Sequence, residues 1–404
     1  MFAAAKEFNK TVWFIILATF MSRFTFLMVW PFLALILYND FGLNELEIGI
    51  FMTLAVSIGV GTGLFMGNLS DRIGRRKVIM AGLFLTIIAM FGIANASDIY
   101  IIWLATTIAS IARGMVEDPG KALMTDMMGS REAKDLAIQM RYFFLNVGAA
   151  FGPLTGVYIG IGGQQSAFNI VAVGYIAYLA LAVIIFRLEK PLSTSHMGKD
   201  QSLGALFKLL RSDHAFMIFV FATFLISLAY AQIDIGLIQF LRLESFENVA
   251  KLYGILLFTN GMTIILFQFP ILKLLENVAP MKKAYLGAFL FTLGFFVFSF
   301  TYSGAEWMLI LAMFIMSLGE VIVFPTINIV VDRMAPTHLK GSYFGASGLG
   351  YYGWAFAPIL GGWLLHSFGG QAMWLVMTLI SAAIIPLFYI AQTAKRPNFA
   401  AVED

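Results

Sequence analysis

Six ionisable side chains lie inside long apolar stretches of the sequence. They are Arg23, Arg113, Glu117, Asp118, Asp234 and Glu320. Charge within a bilayer is costly, and such a side chain usually faces a cavity or a partner, so each of the six is a candidate functional residue. A carboxylate without its hydration shell binds a proton readily, and a nearby arginine favours release of that proton. The chemistry predicted for these residues is therefore reversible protonation.

Two of these acids are the leading proton carriers of the second half, Asp234 and Glu320. The alternative for both is a buried ion pair or polar anchor that never titrates. Glu117 follows Arg113 by four residues, the spacing of an ion pair along one helix face. Structural pairing of Glu117 and Asp118 with Arg113 and Lys121 is therefore the favoured interpretation of these two acids.

The composition shows which elements must position these residues. Charged residues make up 12% of the 404 residues and apolar residues 60%, whereas soluble globular proteins carry about 25% charged residues. A bilayer core of about 30 Å needs about 20 mostly apolar residues per helix. The apolar runs predict twelve membrane-spanning helices. They cover residues 12–38, 46–69, 78–97, 99–125, 138–163, 167–187, 214–241, 250–274, 283–303, 307–331, 341–366 and 370–392.

Lysine and arginine predict the orientation, because they concentrate at the cytoplasmic ends of membrane helices. If both termini are cytoplasmic, 21 of the 26 lysines and arginines lie in cytoplasmic segments or at the adjoining helix ends. The first apolar run exceeds the roughly 7–15 residues of a signal-peptide core and lacks a small-x-small cleavage site, so we expect a retained helix. The predicted location is the cytoplasmic (inner) membrane, crossed many times.

Other chemistries have little basis in the sequence. Cysteine is absent and the four histidines are scattered, which disfavours thiolate or histidine metal sites. Neither a nucleophile with its base nor a phosphate-binding glycine loop is present, so an enzyme is disfavoured and no cofactor is expected. The expected partners are a small-molecule substrate, protons and the lipid bilayer, with no nucleic acid, and we expect a monomer.

The second half of the sequence repeats the glycine and proline positions of the first half. Pro119 matches Pro325 at an offset of 206 residues, and Gly148 matches Gly353 at an offset of 205. Six helices repeated in the same orientation predict two parallel halves with a substrate site between them. The predicted domains are a six-helix bundle over 1–187, a cytoplasmic linker over 188–213 and a second bundle over 214–404.

The loop between the second and third predicted spans reads GNLSDRIGRRK. A plain positive-inside loop explains its basic residues but not its regular glycines and aspartate. The loop resembles the G-x-L-x-D-R-x-G-R-[RK] signature of the major facilitator superfamily. The resemblance implies a twelve-helix fold and a conformational latch that stabilises the outward-open state, with an acid closing the fourth span as partner. The latch residues would be Gly67, Asp71, Arg72, Gly74, Arg75, Arg76 and Asp126.

A second motif lies in the fifth predicted span, GAAFGPLTG. Gly148, Gly152 and Gly156 share one helix face, and Pro153 bends the span. Helix packing alone explains such spacing. The motif also resembles G-x-x-x-G-P-x-x-G of the drug:proton antiporter group of the superfamily, which implies export.

The fourth span departs from one family pattern. Ser110 stands where R-x-x-Q-G has its arginine, and Arg113 stands at the glutamine position, which weakens transfer of the proton-coupling role usually given to that arginine. The stretch from Asp118 to Lys121 resembles an acidic-Pro-x-basic stretch of MdtH-type drug exporters. Aromatic side chains are candidates for an adaptable apolar cavity. They are Trp30, Tyr230, Tyr351, Tyr352 and Trp354.

These observations predict an all-α membrane protein of twelve helices in two pseudo-symmetric six-helix bundles. The function they favour is proton-coupled export of small amphipathic compounds or drugs by alternating access. The alternative is proton-coupled import of a nutrient such as a sugar, peptide or organic acid, since the fold does not determine the substrate. A membrane-embedded sensor that lost transport is disfavoured by the retained buried charges.

Overall fold

The computed structural model describes residues 2–160, 163–188, 211–335, 343 and 346–397. Within these ranges the regular secondary structure is helical, without strands. The helices of the first half are α1 Lys10–Leu27, α2 Leu33–Phe41, α3 Glu45–Ile73, α4 Arg75–Asn95, α5 Ile99–Asp126, α6 Arg131–Tyr158 and α7 Phe168–Leu188. Those of the second half are α8 His214–Tyr230, α9 Gly236–Leu243, α10 Val249–Leu274, α11 Pro280–Phe298, α12 Glu306–Met334, α13 Tyr352–Phe368 and α14 Gly370–Thr393.

In the part of the chain so described, ten helical stretches are long and apolar enough to cross a bilayer. The other two predicted spans, 138–163 and 341–366, correspond to α6 and α13. Helix α6 starts at Arg131, earlier than predicted, because the Ser130 side chain caps its first turn. Helix α13 has 17 residues and follows a short 3₁₀ turn, Gly348–Tyr351. The predicted all-helical membrane fold is confirmed.

Two spans predicted as single helices, 12–38 and 214–241, are broken, which corrects the prediction. In the first, a 3₁₀ turn at Trp30–Phe32 separates α1 from α2, and Pro31 within it has no N–H to continue the helix. In the seventh, a 3₁₀ turn at Ala231–Ile233 separates α8 from α9 without a proline. The breaks occupy equivalent positions in the two halves.

The chain forms two compact units, Met1–His196 with Asn248–Gly261, and Met197–Glu247 with Met262–Asp404. The predicted domain boundaries stay a prediction, because residues 189–210 of the proposed linker lie outside the described part of the chain. Among the described residues, each half has the same order of elements, a broken first span followed by five more helices. The repeat in the sequence is thus matched by a repeat of structural elements.

The glycines of the fifth span form the contact between α6 and α1. A methyl group at Gly148 would lie 2.9 Å from the carbonyl oxygen of Phe20, and one at Gly152 would lie 2.6 Å from that of Phe24. One at Gly156 would collide with the carbonyl oxygen of Met28. Only residues without a side chain allow the two backbones to approach so closely.

The second half repeats this contact between α13 and α8. A methyl group at Gly353 would lie 2.6 Å from the amide nitrogen of Leu228, and one at Gly350 would lie 2.7 Å from the side chain of Thr223. At Gly361 it would collide with the Gln232 side chain. The first and fifth spans of each half are therefore held together by the same means.

Candidate functional site

The intramembrane charges of the first half converge on one cluster. The Nε atom of Arg113 donates to Oε1 of Glu117 at 2.9 Å, with 52% and 42% of the two side chains exposed. Arg23 of α1 and Arg141 of α6 are near enough to stabilise the charge of Glu117. The pair that helical spacing predicts is present, and it belongs to a larger group from three helices.

A cavity opens beside this cluster, with about 50 Å³ of room for the centres of water molecules. Hydroxyl groups contribute to its wall, and those of Ser22 and Tyr175 are 2.7 Å apart. Asp118 does not line this cavity, although it repels the adjacent Glu117. Sequence reasoning missed Arg141, because only the fold brings its side chain close to Glu117.

The buried acid of the second half is bonded by a tyrosine that belongs to an aromatic cluster. Glu320 of α12 is 5% exposed, and the hydroxyl of Tyr230 donates to its Oε1 atom at 2.9 Å. The Tyr230 ring contacts Phe291, Phe324 and Trp354 at centroid distances of 6.1, 5.2 and 5.4 Å. Glu320 therefore accepts a hydrogen bond from a tyrosine whose own ring packs against three aromatic side chains.

Asp234 lies in the break between α8 and α9 and is partly buried. Its neighbour in the same break, Gln232, is 1% exposed and donates from Nε2 to the carbonyl oxygen of Ala357 at 2.8 Å. Sequence reasoning missed Gln232, although an amide inside an apolar span was a usable signal. Broken membrane helices commonly contribute backbone and side-chain groups to transport sites.

The predicted aromatic cavity residues are distributed over the two halves of the chain. Tyr230 and Trp354 contact each other. Trp30 belongs to the first half, where it stacks on Phe26 at 4.6 Å. Tyr351 is 43% exposed, and Tyr352 begins α13.

Four of the seven predicted latch residues, Gly74, Arg75, Arg76 and Asp126, lie at or beside the N-terminus of α4. Arg75 forms an ion pair with Asp126 at the end of α5, 2.6 Å from nitrogen to oxygen. Arg76 donates to the carbonyl oxygen of Phe186 at 2.9 Å and lies over its ring. Gly74 has φ +102°, which favours glycine at this turn. The side chains of Asp71 and Arg72, and the surroundings of Gly67, lie outside the described part of the chain.

A further network ties the end of the chain to the start of α8, and sequence reasoning missed it. The Asp213 side chain is fully buried, caps α8 at Phe216 N, and accepts from the Tyr343 hydroxyl at 2.8 Å. Arg396 donates to the same carboxylate at 2.8 Å and also contacts the carbonyl oxygen of Met334. Burial favours the neutral guanidinium, but the bonds to Asp213 outweigh this and raise the pKa of Arg396.

An equivalent contact precedes the first helix of the other half. Glu7 accepts from the hydroxyl of Ser130 at 2.7 Å and from its backbone N–H at 3.2 Å. These bonds lower the pKa of Glu7. In each half, the acid before the first helix thus bonds a hydroxyl group near the start of the fifth span.

Comparison with known proteins identifies the family. The Major Facilitator Superfamily model matches residues 15–357. The chain belongs to the major facilitator superfamily. The family and the fold are those of membrane transporters, which accords with the expectation that the chain is not an enzyme.

Relatives of this transporter are distant but match along nearly the whole chain. An uncharacterised MFS-type transporter of Bacillus subtilis, YqjV, is 26% identical, covering 96% of this chain and 94% of its own. A Na⁺, Li⁺, K⁺/H⁺ antiporter of Planococcus maritimus is 24% identical over 88% and 89%. The multidrug resistance protein MdtH of Cronobacter sakazakii is 22% identical over 89% and 87%.

Solved structures of other transporters share the fold. The nucleoside transporter NupG has a TM-score of 0.77 at 14% identity, covering 96% of this chain and 100% of its own. The peptide transporter POT in complex with sulfate has a TM-score of 0.76 at 16% identity, over 95% and 94%. At these identities the likeness establishes the fold alone.

Proposed function

We propose that this superfamily member exports small amphipathic compounds in exchange for protons, by alternating access of its two halves. The observation that carries the proposal is Glu320, which is 5% exposed and accepts a hydrogen bond from Tyr230, a tyrosine that packs against aromatic rings. Removing a carboxylate from water favours its protonated form, so in this proposal the buried acid takes up a proton and releases it when water gains access. Proton loading is thereby linked to exposure of the site.

The acids of the first half serve the same coupling in this proposal. Glu117 is already held by Arg113 at 2.9 Å, so its charge is stabilised until the pair separates. Arg23, on a neighbouring helix, also stabilises the charged form of Glu117. Asp234, in the break of the seventh span, and Asp118, beside Glu117, are the remaining carriers to be tested.

The ion pair between Arg75 and Asp126 is proposed as the latch of one transport state. It joins the N-terminus of α4 to the C-terminus of α5, and a relative movement of these ends would break it. With Gly74 shaping the turn, the pair stabilises the outward-open state. Both termini are assigned to the cytoplasm of a monomer in the cytoplasmic membrane.

Export is supported by two resemblances to known proteins. Gly148, Gly152 and Gly156 form the tight α6–α1 contact, and this motif resembles that of drug:proton antiporters. Relatives along most of the chain carry the names of an antiporter and of multidrug resistance proteins. Nutrient import is the alternative, and the direction of movement separates the two.

The test is transport in proteoliposomes under an imposed pH gradient. We expect efflux of amphipathic probes to be driven by the gradient and to lose that dependence in Glu320→Gln. Glu306→Gln, the same change in the first turn of α12, is the matched control and should behave as wild type. Transport unaffected by the gradient would refute proton coupling, and accumulation of nutrients alone would refute export.

A further inference from the structure

The first-half cavity carries more positive than negative charge. Among the described residues that line it, the charged ones are Arg23 of α1, Arg113 and Glu117 of α5, and Arg141 of α6. The next charges along α5, Asp118 and Lys121, cancel each other. A surplus of two positive charges inside membrane-spanning helices calls for an anion beside it.

The hydrogen-bond donors point to the same conclusion. Arg113 directs Nε to Glu117, while Nε of Arg141 is buried and has no hydrogen-bond partner among the described residues. A guanidinium carries five N–H donors, and the unpartnered Nε of Arg141 leaves at least one of them for an acceptor on a ligand. A planar oxyanion matches guanidinium donors two at a time, which a halide ion cannot do.

The size of the cavity limits what part of a ligand it can hold. Its 50 Å³ exceeds the roughly 10–15 Å³ that one water needs, but falls far below the roughly 300–1,000 Å³ of a site for a drug-sized molecule. A carboxylate group fits, and the rest of the ligand must extend beyond it. Apolar side chains share the lining, namely Ile15, Phe26, Met90, Val116 and Leu145.

We propose that this cavity binds the carboxylate of an amphipathic organic anion, which makes such anions the substrate class of the exporter. The inference rests on the proposed function and narrows it. Arg141 and Arg23 hold the carboxylate, Arg113 stays with Glu117, and the apolar lining contacts the adjoining part of the ligand.

The test is binding of 4-butylbenzoate to the purified full-length chain by titration calorimetry, with 4-butylbenzamide as the uncharged counterpart. We expect the benzoate to bind and the amide to bind at least about tenfold more weakly, because the amide makes no charge-assisted hydrogen bonds. Equal binding of the two would overturn the proposal. So would sodium chloride alone, if it displaces the benzoate at an equal concentration.

Two substitutions in one cluster should act in opposite directions. Arg141→Gln should weaken benzoate binding by about 10- to 100-fold, the loss of one charge-assisted hydrogen bond. Glu117→Gln should tighten it by about threefold or more, because it removes the negative charge nearest the anion. A merely structural role would make both variants bind more weakly or leave both unchanged, and either result refutes the site.

If Arg141→Gln does not fold, Arg141→Lys can be used in its place. Lysine keeps the charge but lacks the planar guanidinium group, so this variant should bind the benzoate with intermediate affinity. Unchanged affinity in Arg141→Lys and Glu117→Gln together would also refute the site. Failure of the proposed function is recognisable separately. Carboxylate binding without gradient-dependent transport refutes that function alone, whereas gradient-driven export of cationic or neutral probes without carboxylate binding refutes this inference alone.

Discussion

Gly152→Ala should force α6 away from α1. The added methyl group would lie 2.6 Å from the carbonyl oxygen of Phe24, whereas ordinary contacts begin at 3.4 Å. The helices must separate by the difference, about 0.8 Å, or the backbone must bend, and such overpacking costs about 1–3 kcal/mol. The obstacle is main chain, so a change of rotamer cannot relieve it.

Gly120→Ala in α5 is the matched control. No atom outside its own helix lies within 4 Å of the added methyl group, so this change should stabilise the helix by about 0.5–1 kcal/mol. Gly353→Ala in α13 should behave like Gly152→Ala, because its methyl group would lie 2.6 Å from the Leu228 amide nitrogen.

The assay is the unfolding free energy of the purified protein in mixed micelles, followed by tryptophan fluorescence. We expect Gly152→Ala and Gly353→Ala to be less stable than wild type and Gly120→Ala at least as stable. Equal stability of Gly152→Ala and Gly120→Ala would show that α6 and α1 do not pack as tightly as the structure has them.

Three further outcomes follow from the networks at the helix ends. Glu7 has a lowered pKa because Ser130 bonds its charged form. The stabilisation by Glu7 is therefore complete above the unfolded pKa of about 4.5 and is lost as pH falls through the lower folded pKa. The melting temperature of a Glu7→Gln variant should be below that of wild type at pH 7 and equal to it near pH 3, and a difference that does not change with pH would contradict this. Arg396→Gln should lower the free energy of unfolding, measured in denaturant, by about 3 kcal/mol, because it leaves the buried Asp213 carboxylate without its cation. An unchanged free energy of unfolding would mean that the other hydrogen-bond donors to Asp213 are enough to stabilise its charge. Arg75→Asp should impair transport, and adding Asp126→Arg should restore it if the ion pair is the latch. A double variant that transports no faster than Arg75→Asp alone would count against the ion pair as the latch.

Much of the fold was predictable because it depends on local pattern. Apolar run lengths indicate the spans, and the recurrence of Pro119 as Pro325 indicates the duplication. The breaks at Trp30–Phe32 and Ala231–Ile233 were missed, since hydropathy continues through both. Pro31 was a local signal for the first break, whereas the second has no proline.

The contacts of the candidate site also fall into those that the sequence predicts and those that it does not. Helix geometry alone pairs Arg113 with Glu117, because residues four apart share one face. It does not predict that Arg141 approaches the same acid from another helix, or that Tyr230 bonds Glu320 at a separation of 90 residues.

Hydropathy, the repeat and the basic loop signature are enough to predict a twelve-helix transporter chain with a duplicated half and charges inside the membrane. Which of those charges meet depends on the packing of the helices. Hydropathy and helical period specify which residues are buried and which share a face, whereas the contacts between faces depend on how closely the backbones approach. That approach is set where glycines such as Gly152 remove the side chain between two helices.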